Sequence, residues 1–386
     1  MAGTGLIGTS VALALRAKGA DVWVSDSDEG TARLAAELGA GTVVPDPRDA
    51  KGIADIAVLA MPPAAVAASL SLAQECAVAD VYTDVASVKV LPVQQARELG
   101  CDLASYVPGH PLAGRERHGP AAARADLFLG RTWALCPLAE TSPAAVEAVT
   151  SIVVACGADP VTTDPVTHDQ WVALISHAPH LVAAAMAARL APSSVPTDAL
   201  KLAGQGLRDV TRVAAGDSEL WAQILAANPG PVSEVVAAVA ADLAETARVL
   251  AATAGTARRP AAEPAGTAHG PAGDVGTADG VSAETPGSVA DVTDLLDRGR
   301  AGVARIPGKH GGQPRNFTVV QVVIADQPGE LARLFTAAGE AGVNIEDVRI
   351  EHSPGLPVGV AELSVRPDQA AALLDAMQAG GWPVRR

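Results

Sequence analysis

Apolar positions follow different periods in successive parts of the chain. Up to about Asp164, short runs rich in β-branched residues alternate with Ala- and Leu-rich windows of helical period. The runs are VWVSD at 22–26, ADIAVLAM at 54–61, DVYTDVAS at 80–87 and RTWALCP at 131–137. Such alternation is typical of βαβ units that build a parallel sheet. We therefore predict an α/β domain over residues 1–164.

The helical period then takes over. Residues 168–253 contain no strand-like run, so we predict an all-α domain over residues 165–305. Within it, residues 254–287 consist mostly of Gly, Ala, Pro and Thr and have almost no large apolar side chain. Such a segment buries too little apolar surface to offset the entropy of ordering. We predict a disordered insertion there, followed by a helix over 289–300.

The last part of the chain changes period again. FTVVQVVIAD at 317–326 reads as a strand, and the following segments read in turn as helix, strand, strand and helix before the short end WPVRR. This order is that of a small α+β, ferredoxin-like sandwich. We predict such a domain over residues 316–386.

Composition narrows the classes of function. The formal net charge is −15, and without a clustered basic surface nucleic-acid binding is not expected. Charged residues interrupt each apolar run before about 20 residues, so no membrane span is predicted, and no secretory signal is recognisable. We expect a cytoplasmic protein whose cysteines remain thiols, because they lack CxxC spacing. They are Cys76, Cys101, Cys136 and Cys156.

The sequence GTGLIG at residues 3–8 precedes an amphipathic window and has the GxGxxG spacing. Glycines at these positions allow a tight turn, the close approach of a pyrophosphate and close helix packing. Asp26, at the end of the next strand, would accept hydrogen bonds from ribose hydroxyls, which favours NAD over NADP. The alternative is a structural Gly-rich turn. The predicted cofactor-binding residues are Gly3, Gly5, Leu6, Ile7, Gly8 and Asp26.

The strand that should precede these glycines is missing from the sequence, because only Met1 and Ala2 lie before Gly3. In a Rossmann-like sheet that strand is central, and its loss would expose two neighbouring strand edges. We expect that the start of the sequence is placed too late, the alternative being a damaged nucleotide-binding domain.

Two further motifs follow predicted strands. They are TDVASVK at 83–89 and GHPLAG at 109–114, the latter followed by Arg115 and Glu116. Open α/β sheets bind ligands at the carboxyl ends of their strands, and a histidine there can act as an acid or base near neutral pH. His110 is therefore a candidate catalytic group. The alternative is a turn histidine that bonds only to the backbone.

The predicted helical domain contains HD at 168–169, SHAPH at 176–180 and GLRDVTR at 206–212. His177 and His180 are three residues apart and share a helix face. A metal site is not predicted, because no familiar ligand set is complete. Arg212 could pair with an anionic substrate, although a solvated arginine remains the alternative, and the histidines could instead belong to the core.

Together these motifs resemble the prephenate dehydrogenase family, which includes arogenate and cyclohexadienyl dehydrogenases. The resemblance spans roughly residues 3–250 and includes Trp221. It implies an NAD-binding domain beside a helical dimerisation domain, hence a homodimer, with the substrate between the two domains. It also implies the oxidative decarboxylation of prephenate to 4-hydroxyphenylpyruvate, CO2 and NADH.

The same resemblance implies roles for individual residues. His110 would accept the hydrogen bond or proton of the substrate's ring hydroxyl, and Ser87 would orient either His110 or that hydroxyl. Arg212 would hold a substrate carboxylate, His177 and His180 would line the pocket, and Glu116 would belong to an ionic network at the pocket entrance. Lys89 is expected to provide local support.

The last 70 residues resemble an ACT regulatory domain, and DQPGELARLF at 326–335 matches that domain's ligand-binding turn. This implies that tyrosine or phenylalanine binds near Gly329. The alternative is a packing module without a ligand.

Other functions remain open from the sequence. Arogenate differs from prephenate by an amino group in place of the keto group, and no residue decides between them. The chain could also be an amino-acid sensor that has lost turnover. Another NAD-dependent oxidoreductase, such as a hydroxyacid dehydrogenase, is disfavoured because its catalytic lysine would have to be the poorly placed Lys201.

Overall fold

Alternating strands and helices form the first part of the molecule. The computed structural model describes residues 1–44, 50–114, 118–192, 195–257, 289–306, 317–352 and 357–385. The chain divides into two compact units, residues 1–244 and 245–386, and the predicted α/β and helical domains fall largely in the first.

The strands of the predicted α/β domain form three short sheets. β1 pairs with β2 in parallel, β3, β4 and β5 form a parallel sheet in that order, and β7 lies between antiparallel β6 and parallel β8. The strands are β1 (Trp23–Val24), β2 (Thr42–Val43), β3 (Ala54–Leu59), β4 (Ala79–Asp84), β5 (Tyr106–Val107), β6 (Gly109–Pro111), β7 (Thr132–Leu135) and β8 (Asp159–Thr162).

Helices occupy the Ala- and Leu-rich windows between these strands. Asp28 and Ser142 cap two of the helices by accepting hydrogen bonds from backbone N–H groups of the first turn. The helices are α1 (Leu6–Arg16), α2 (Glu29–Glu37), α3 (Pro63–Glu75), α4 (Val90–Glu98) and α5 (Pro143–Ala155). The Rossmann-like alternation predicted from the sequence is therefore present.

The two residues before the glycine motif lie where the central strand was expected. Ala2 forms parallel bridges to both Ser25 and Leu59, and its N–H donates to the Val58 carbonyl at 2.9 Å. The chain thus enters the glycine turn between β1 and β3.

The second domain is helical, as predicted. A π-helical turn, Ala173–His177, joins its first two long helices, and such insertions occur frequently at functional sites. The prediction of disorder was wrong for residues 254–257, which end the long helix Pro229–Ala257; residues 258–288 lie outside the described part. The helices are α6 (Pro165–Val172), α7 (Ala178–Ala188), α8 (Thr197–Leu200), α9 (Gln205–Thr211), α10 (Ser218–Ala227), α11 (Pro229–Ala257) and α12 (Val289–Val303).

The stretch Pro165–Ala188 is long and apolar enough to cross a membrane by length and composition. It nevertheless carries four buried polar side chains, His168, Asp169, His177 and His180. Ionisable groups are costly in a bilayer unless they face a protein interior. These four residues contact other parts of the chain, so the stretch is a packed helix pair of a folded domain.

The C-terminal region has the predicted βαββαβ order. Its antiparallel sheet has the strand order β10-β11-β9-β12, which is that of a ferredoxin-like sandwich. Alternate residues of β11 are buried against the two helices. The elements are β9 (Thr318–Ala325), α13 (Glu330–Glu340), β10 (Ile345–His352), β11 (Val358–Val365), α14 (Ala370–Ala379) and β12 (Val384–Arg385).

Candidate active site

The glycine turn leaves backbone exposed at one point and packs tightly at two others. Gly3 has φ +91°, and a Cβ there would lie 2.3 Å from the Ala60 carbonyl oxygen. A Cβ on Gly8 would lie 2.1 Å from the carbonyl oxygen of Gly3, whereas a Cβ on Gly5 would meet nothing within 4 Å. Gly5 caps α1 without a side-chain hydrogen bond. The helix N-terminus can therefore receive a pyrophosphate, as this motif requires.

Asp26 is fixed beside this turn. Its carboxylate accepts hydrogen bonds from the N–H of Thr4 at 2.6 Å, the hydroxyl of Thr4 at 2.9 Å and the N–H of Asp28 at 3.1 Å. A cavity of about 1400 Å³ borders Gly3, Gly5 and Asp26. These residues form a cradle that fits a dinucleotide, with a carboxylate available to ribose hydroxyls.

His110 lies on β6, and a buried polar network holds the residue before it. The ammonium of Lys89, which is fully buried, donates to the carboxylate of Asp84 and to the Gly109 carbonyl. The hydroxyl of Tyr106 donates to the other oxygen of Asp84 at 2.6 Å. Because each buried polar group has a partner, this network fixes the backbone that carries His110.

The side chain of His110 contacts the helical domain. Its Nδ1 lies 2.9 Å from Nε2 of His168, and Nδ1 of His168 lies 2.8 Å from the carboxylate of Asp169. Burial, and then the neighbouring His168, Lys89 and His177, lower the pKa of His110 well below 6.5. The imidazole is therefore neutral near pH 7 and able to accept a proton.

Ser87 follows β4 at the same edge of the molecule. Within the described part of the chain, its hydroxyl oxygen is buried and has no hydrogen-bond partner. Buried hydroxyl groups in folded proteins are nearly always paired. The unpaired hydroxyl is therefore available to a bound ligand.

His177 and His180 form a second cluster of aromatic side chains with Trp221. The ring of His180 stacks on Trp221 at 3.6 Å between centroids, and His177 meets the same ring edge-on at 6.2 Å. The side-chain nitrogen of Asn228 lies 3.3 Å from Nδ1 of His177 and donates to the backbone carbonyl of Asp169. Burial lowers the pKa of His180 and lowers that of His177 to about 4.

The remaining predicted residues lie on other elements or outside the described part. Arg212 begins a short 3₁₀ turn, Arg212–Ala215, that packs against α7, and its side chain is exposed. Glu116 lies outside the described residues. Gly329, with φ +86°, precedes α13 in the other compact unit. Among the residues that the structure describes, no group of three or more His, Cys, Asp or Glu side chains has an arrangement that could hold a metal ion.

The structure adds partners that sequence reasoning did not provide. The HD pair at 168–169 was noticed in the sequence but was not connected to His110, which lies 58 residues from His168. Asn228 and Tyr106 carried no motif. The adjacency of His168 and Asp169 near a helix start was the one available signal, since a carboxylate that bonds one ring nitrogen of a histidine sets the role of the other.

Comparisons with known proteins identify the family of the two domains. The family descriptions that match are "Prephenate dehydrogenase, nucleotide-binding domain" over residues 11–162 and "Prephenate dehydrogenase, dimerization domain" over residues 164–257. A probable prephenate dehydrogenase of Streptomyces niveus, NovF, is 38% identical over 99% of this chain and 97% of its own length.

Solved structures share the fold. Synechocystis arogenate dehydrogenase is 27% identical, with a TM-score of 0.55 over 67% of this chain and 92% of its own. The prephenate dehydrogenase of Aquifex aeolicus in complex with hydroxyphenyl propionate and NAD+ is 24% identical, with a TM-score of 0.59 over 66% of this chain and 90% of its own. The match to NovF over nearly the whole chain and to both family domains shows that the chain belongs to the prephenate dehydrogenase family.

Proposed function

We propose that this protein catalyses the NAD-dependent oxidative decarboxylation of prephenate to 4-hydroxyphenylpyruvate, a step of tyrosine biosynthesis. The observation that carries the proposal is the neutral imidazole of His110, which follows Gly109 at the carboxyl end of β4, in a chain whose glycine turn is open at Gly5. When bound, NAD+ accepts the hydride that leaves the substrate. Gly3, Gly5 and Asp26 would hold this cofactor.

His110 is the proposed proton acceptor. As hydride leaves the ring carbon that bears the hydroxyl, the oxygen becomes a carbonyl and must release its proton. A neutral imidazole can accept this proton, whereas an imidazolium cannot. The unpaired hydroxyl of Ser87 would orient the substrate hydroxyl or the imidazole.

The substrate carries two carboxylates, which call for cationic or hydrogen-bonding partners. We assign one carboxylate to Arg212, because a guanidinium offers a bidentate pair to a carboxylate. His177 and His180 would line the pocket with their neutral rings, and Glu116 would belong to an ionic network at its entrance. Loss of the ring carboxylate as CO2 is driven by aromatisation, so the protein only needs to position it.

Arogenate is the alternative substrate, and arogenate dehydrogenase of Synechocystis shares the fold. Parallel assays of NADH formation with prephenate and arogenate separate the two. We expect a higher kcat/KM with prephenate. A preference for arogenate would replace the substrate but retain the chemistry, and no NADH with either would contradict the proposed function and leave the amino-acid sensor.

For the C-terminal sandwich we propose an ACT regulatory role, with tyrosine as the effector near Gly329. The ferredoxin-like order of its elements and the open left-handed position of Gly329 before α13 support it. Isothermal titration should give heat with tyrosine that is reduced in Gly329→Val, while Gly381→Val serves as a control at another left-handed glycine. The absence of heat with any aromatic amino acid would refute the regulatory role.

We also propose a cytoplasmic homodimer. Trp171, Leu174 and Ile175 expose 51%, 60% and 62% of their surface on the α6–α7 stretch, and large exposed apolar side chains mark association surfaces. The family's description of residues 164–257 as a dimerization domain supports this. Light scattering should give a dimeric mass that Leu174→Glu converts to a monomer; an unchanged dimer would place the interface elsewhere.

A further inference from the structure

Three side chains form a line of hydrogen bonds from the centre of the site into the helical domain. His110 contacts His168 at 2.9 Å, and His168 contacts Asp169 at 2.8 Å. His168 and Asp169 each expose 2% of their surface. Water therefore cannot replace either bond, and the pairing of donors with acceptors is set within the protein.

The carboxylate end of this line is fixed by the start of α4. One oxygen of Asp169 accepts from the N–H of Lys89 at 2.8 Å, and the other accepts from the N–H of Val90 at 2.9 Å. Asp169 thus lies at the positive end of a helix, where a negative charge is stabilised. Its backbone carbonyl accepts from the amide of Asn228, so α6 is tied to both α4 and the start of α11.

This arrangement determines which ring nitrogens carry protons. A carboxylate only accepts hydrogen bonds, so Nδ1 of His168 must donate to Asp169. In a neutral His168, Nε2 is then an acceptor, and Nδ1 of His110 must donate to it. Nε2 of His110 is consequently the unprotonated nitrogen, with its lone pair available to a substrate.

We propose that His168 and Asp169 are positioning residues that hold His110 in the tautomer with an unprotonated Nε2 and stabilise the charge that this ring gains. The proposal rests on the proposed function, because it assigns the acceptor atom of that reaction. His110, His168 and Asp169 thereby act as a unit that links the nucleotide-binding and helical domains.

The substrate O–H bond breaks and an N–H bond forms at Nε2 of His110, while the ring C–H hydride passes to NAD+ and a C=O bond forms. When the bond to the ring carboxylate breaks, its electron pair aromatises the ring and CO2 leaves. The oxygen then takes the proton back from His110 as a phenol. Asp169 acts through His168 on the transient imidazolium and is not itself consumed.

The groups that face His110 come from both domains. His168, Asp169 and His177 belong to the helical domain, and Lys89 with its partner Asp84 belongs to the nucleotide-binding domain. Lys89 and the two histidines disfavour the imidazolium, so in this cluster Asp169 is the anion connected to the ring by hydrogen bonds. Replacing Asp169 should therefore raise the free-energy barrier to proton transfer to His110 more than it weakens substrate binding.

Three variants test the proposal. His168→Gln can accept from His110 and donate to Asp169 but cannot share charge, His168→Phe removes both bonds, and Asp169→Asn removes the negative charge. We expect kcat to fall by about 10²-fold or more in His168→Phe and Asp169→Asn and by less in His168→Gln, with KM changing only a few-fold. Exposed His118→Gln is the matched control and should retain the wild-type rate.

The tautomer itself can be read in the wild-type protein. Nitrogen-15 NMR of histidine-labelled protein, with His110→Ala to identify the signal, should show His110 protonated at Nδ1 and bare at Nε2. A proton at Nε2 in the resting enzyme would overturn the proposal. So would a normal kcat and an unchanged pH profile in folded His168→Phe.

The results that would refute the positioning role differ from those that would refute the proposed function. If the wild-type protein forms no NADH with prephenate or arogenate, the function is wrong. If His110→Ala abolishes turnover while His168→Phe and Asp169→Asn retain it, the function stands and the positioning role is refuted.

Discussion

At the residue scale, the surroundings of His110 determine the protonation state of its ring. The sequence provided a histidine between Gly109 and Pro111 and a resemblance that made it a candidate base. The structure adds the cause of its neutrality, since burial and the neighbouring His168, Lys89 and His177 lower its pKa. Its contact with His168 could not be predicted, because that contact depends on how α6 packs against the start of α4.

The first prediction concerns the base. We expect His110→Ala to lower kcat by roughly 10²-fold or more, because it removes the proton acceptor. Steady-state rates of NADH formation with prephenate measure the effect. His118→Gln, which changes an exposed histidine, serves as the control, and a near-normal rate in His110→Ala would remove His110 from the mechanism.

The second prediction concerns the substrate anion. Arg212→Ala should mainly raise the KM for prephenate, because its proposed role is to bind a carboxylate in the ground state. Arg97→Ala is the matched control, since Arg97 forms an exposed ion pair with Glu140. Equal KM values in wild type and Arg212→Ala would place the carboxylate elsewhere.

At the element scale, the glycine turn illustrates what spacing can and cannot predict. The GxGxxG pattern correctly placed a turn before α1 and indicated that glycine is needed. Only the structure distinguishes the three positions, because Gly3 and Gly8 approach neighbouring backbone while Gly5 faces open space. Likewise, the helical period predicted α6 and α7, but not the π-helical turn that joins them.

The third prediction uses this difference. Gly5→Ala should leave the Tm unchanged and raise the KM for NAD+, because a Cβ there fits the folded chain but obstructs the approach of a pyrophosphate. Gly8→Ala should lower the Tm, since its Cβ would lie 2.1 Å from a carbonyl oxygen. Thermal melts and NAD+ titrations of both variants check this. A reversed pattern would show that Gly5 is structural.

At the scale of the whole molecule, the site joins elements distant in sequence into one polar cluster. The order of domains could be predicted because period and composition change along the chain. The way in which the helical domain completes the site could not be predicted. Asp169 accepts a hydrogen bond from the N–H of Lys89, 80 residues away, and neither residue carries a pattern that specifies the other.

Burial of this cluster predicts the pH dependence of stability. The pKa values of His110, His177 and His180 are all lowered. The unfolded chain therefore binds more protons than the folded chain below pH 6.5, so stability is full above that pH and is lost as the pH falls. For His177 alone, a shift from 6.5 to about 4 corresponds to roughly 3 kcal/mol by pH 4.

Urea unfolding between pH 8 and pH 4 tests this fourth prediction. The free energy of unfolding should decrease from about pH 6.5 downward, and His177→Gln should reduce the slope if it folds. His118→Gln, which changes an exposed residue, serves as the control. A free energy that stayed constant over this range in the wild-type protein would show that these rings are not buried in neutral form.

The central claim is that a neutral His110 serves as the base in a dehydrogenase that acts on prephenate. The most direct measurement follows NADH and 4-hydroxyphenylpyruvate together when wild-type protein and His110→Ala are mixed with prephenate and NAD+. We expect equal amounts of the two products from the wild type and a rate at least about 10²-fold lower from the variant. Absence of both products from the wild type, or equal rates from the two proteins, would contradict it.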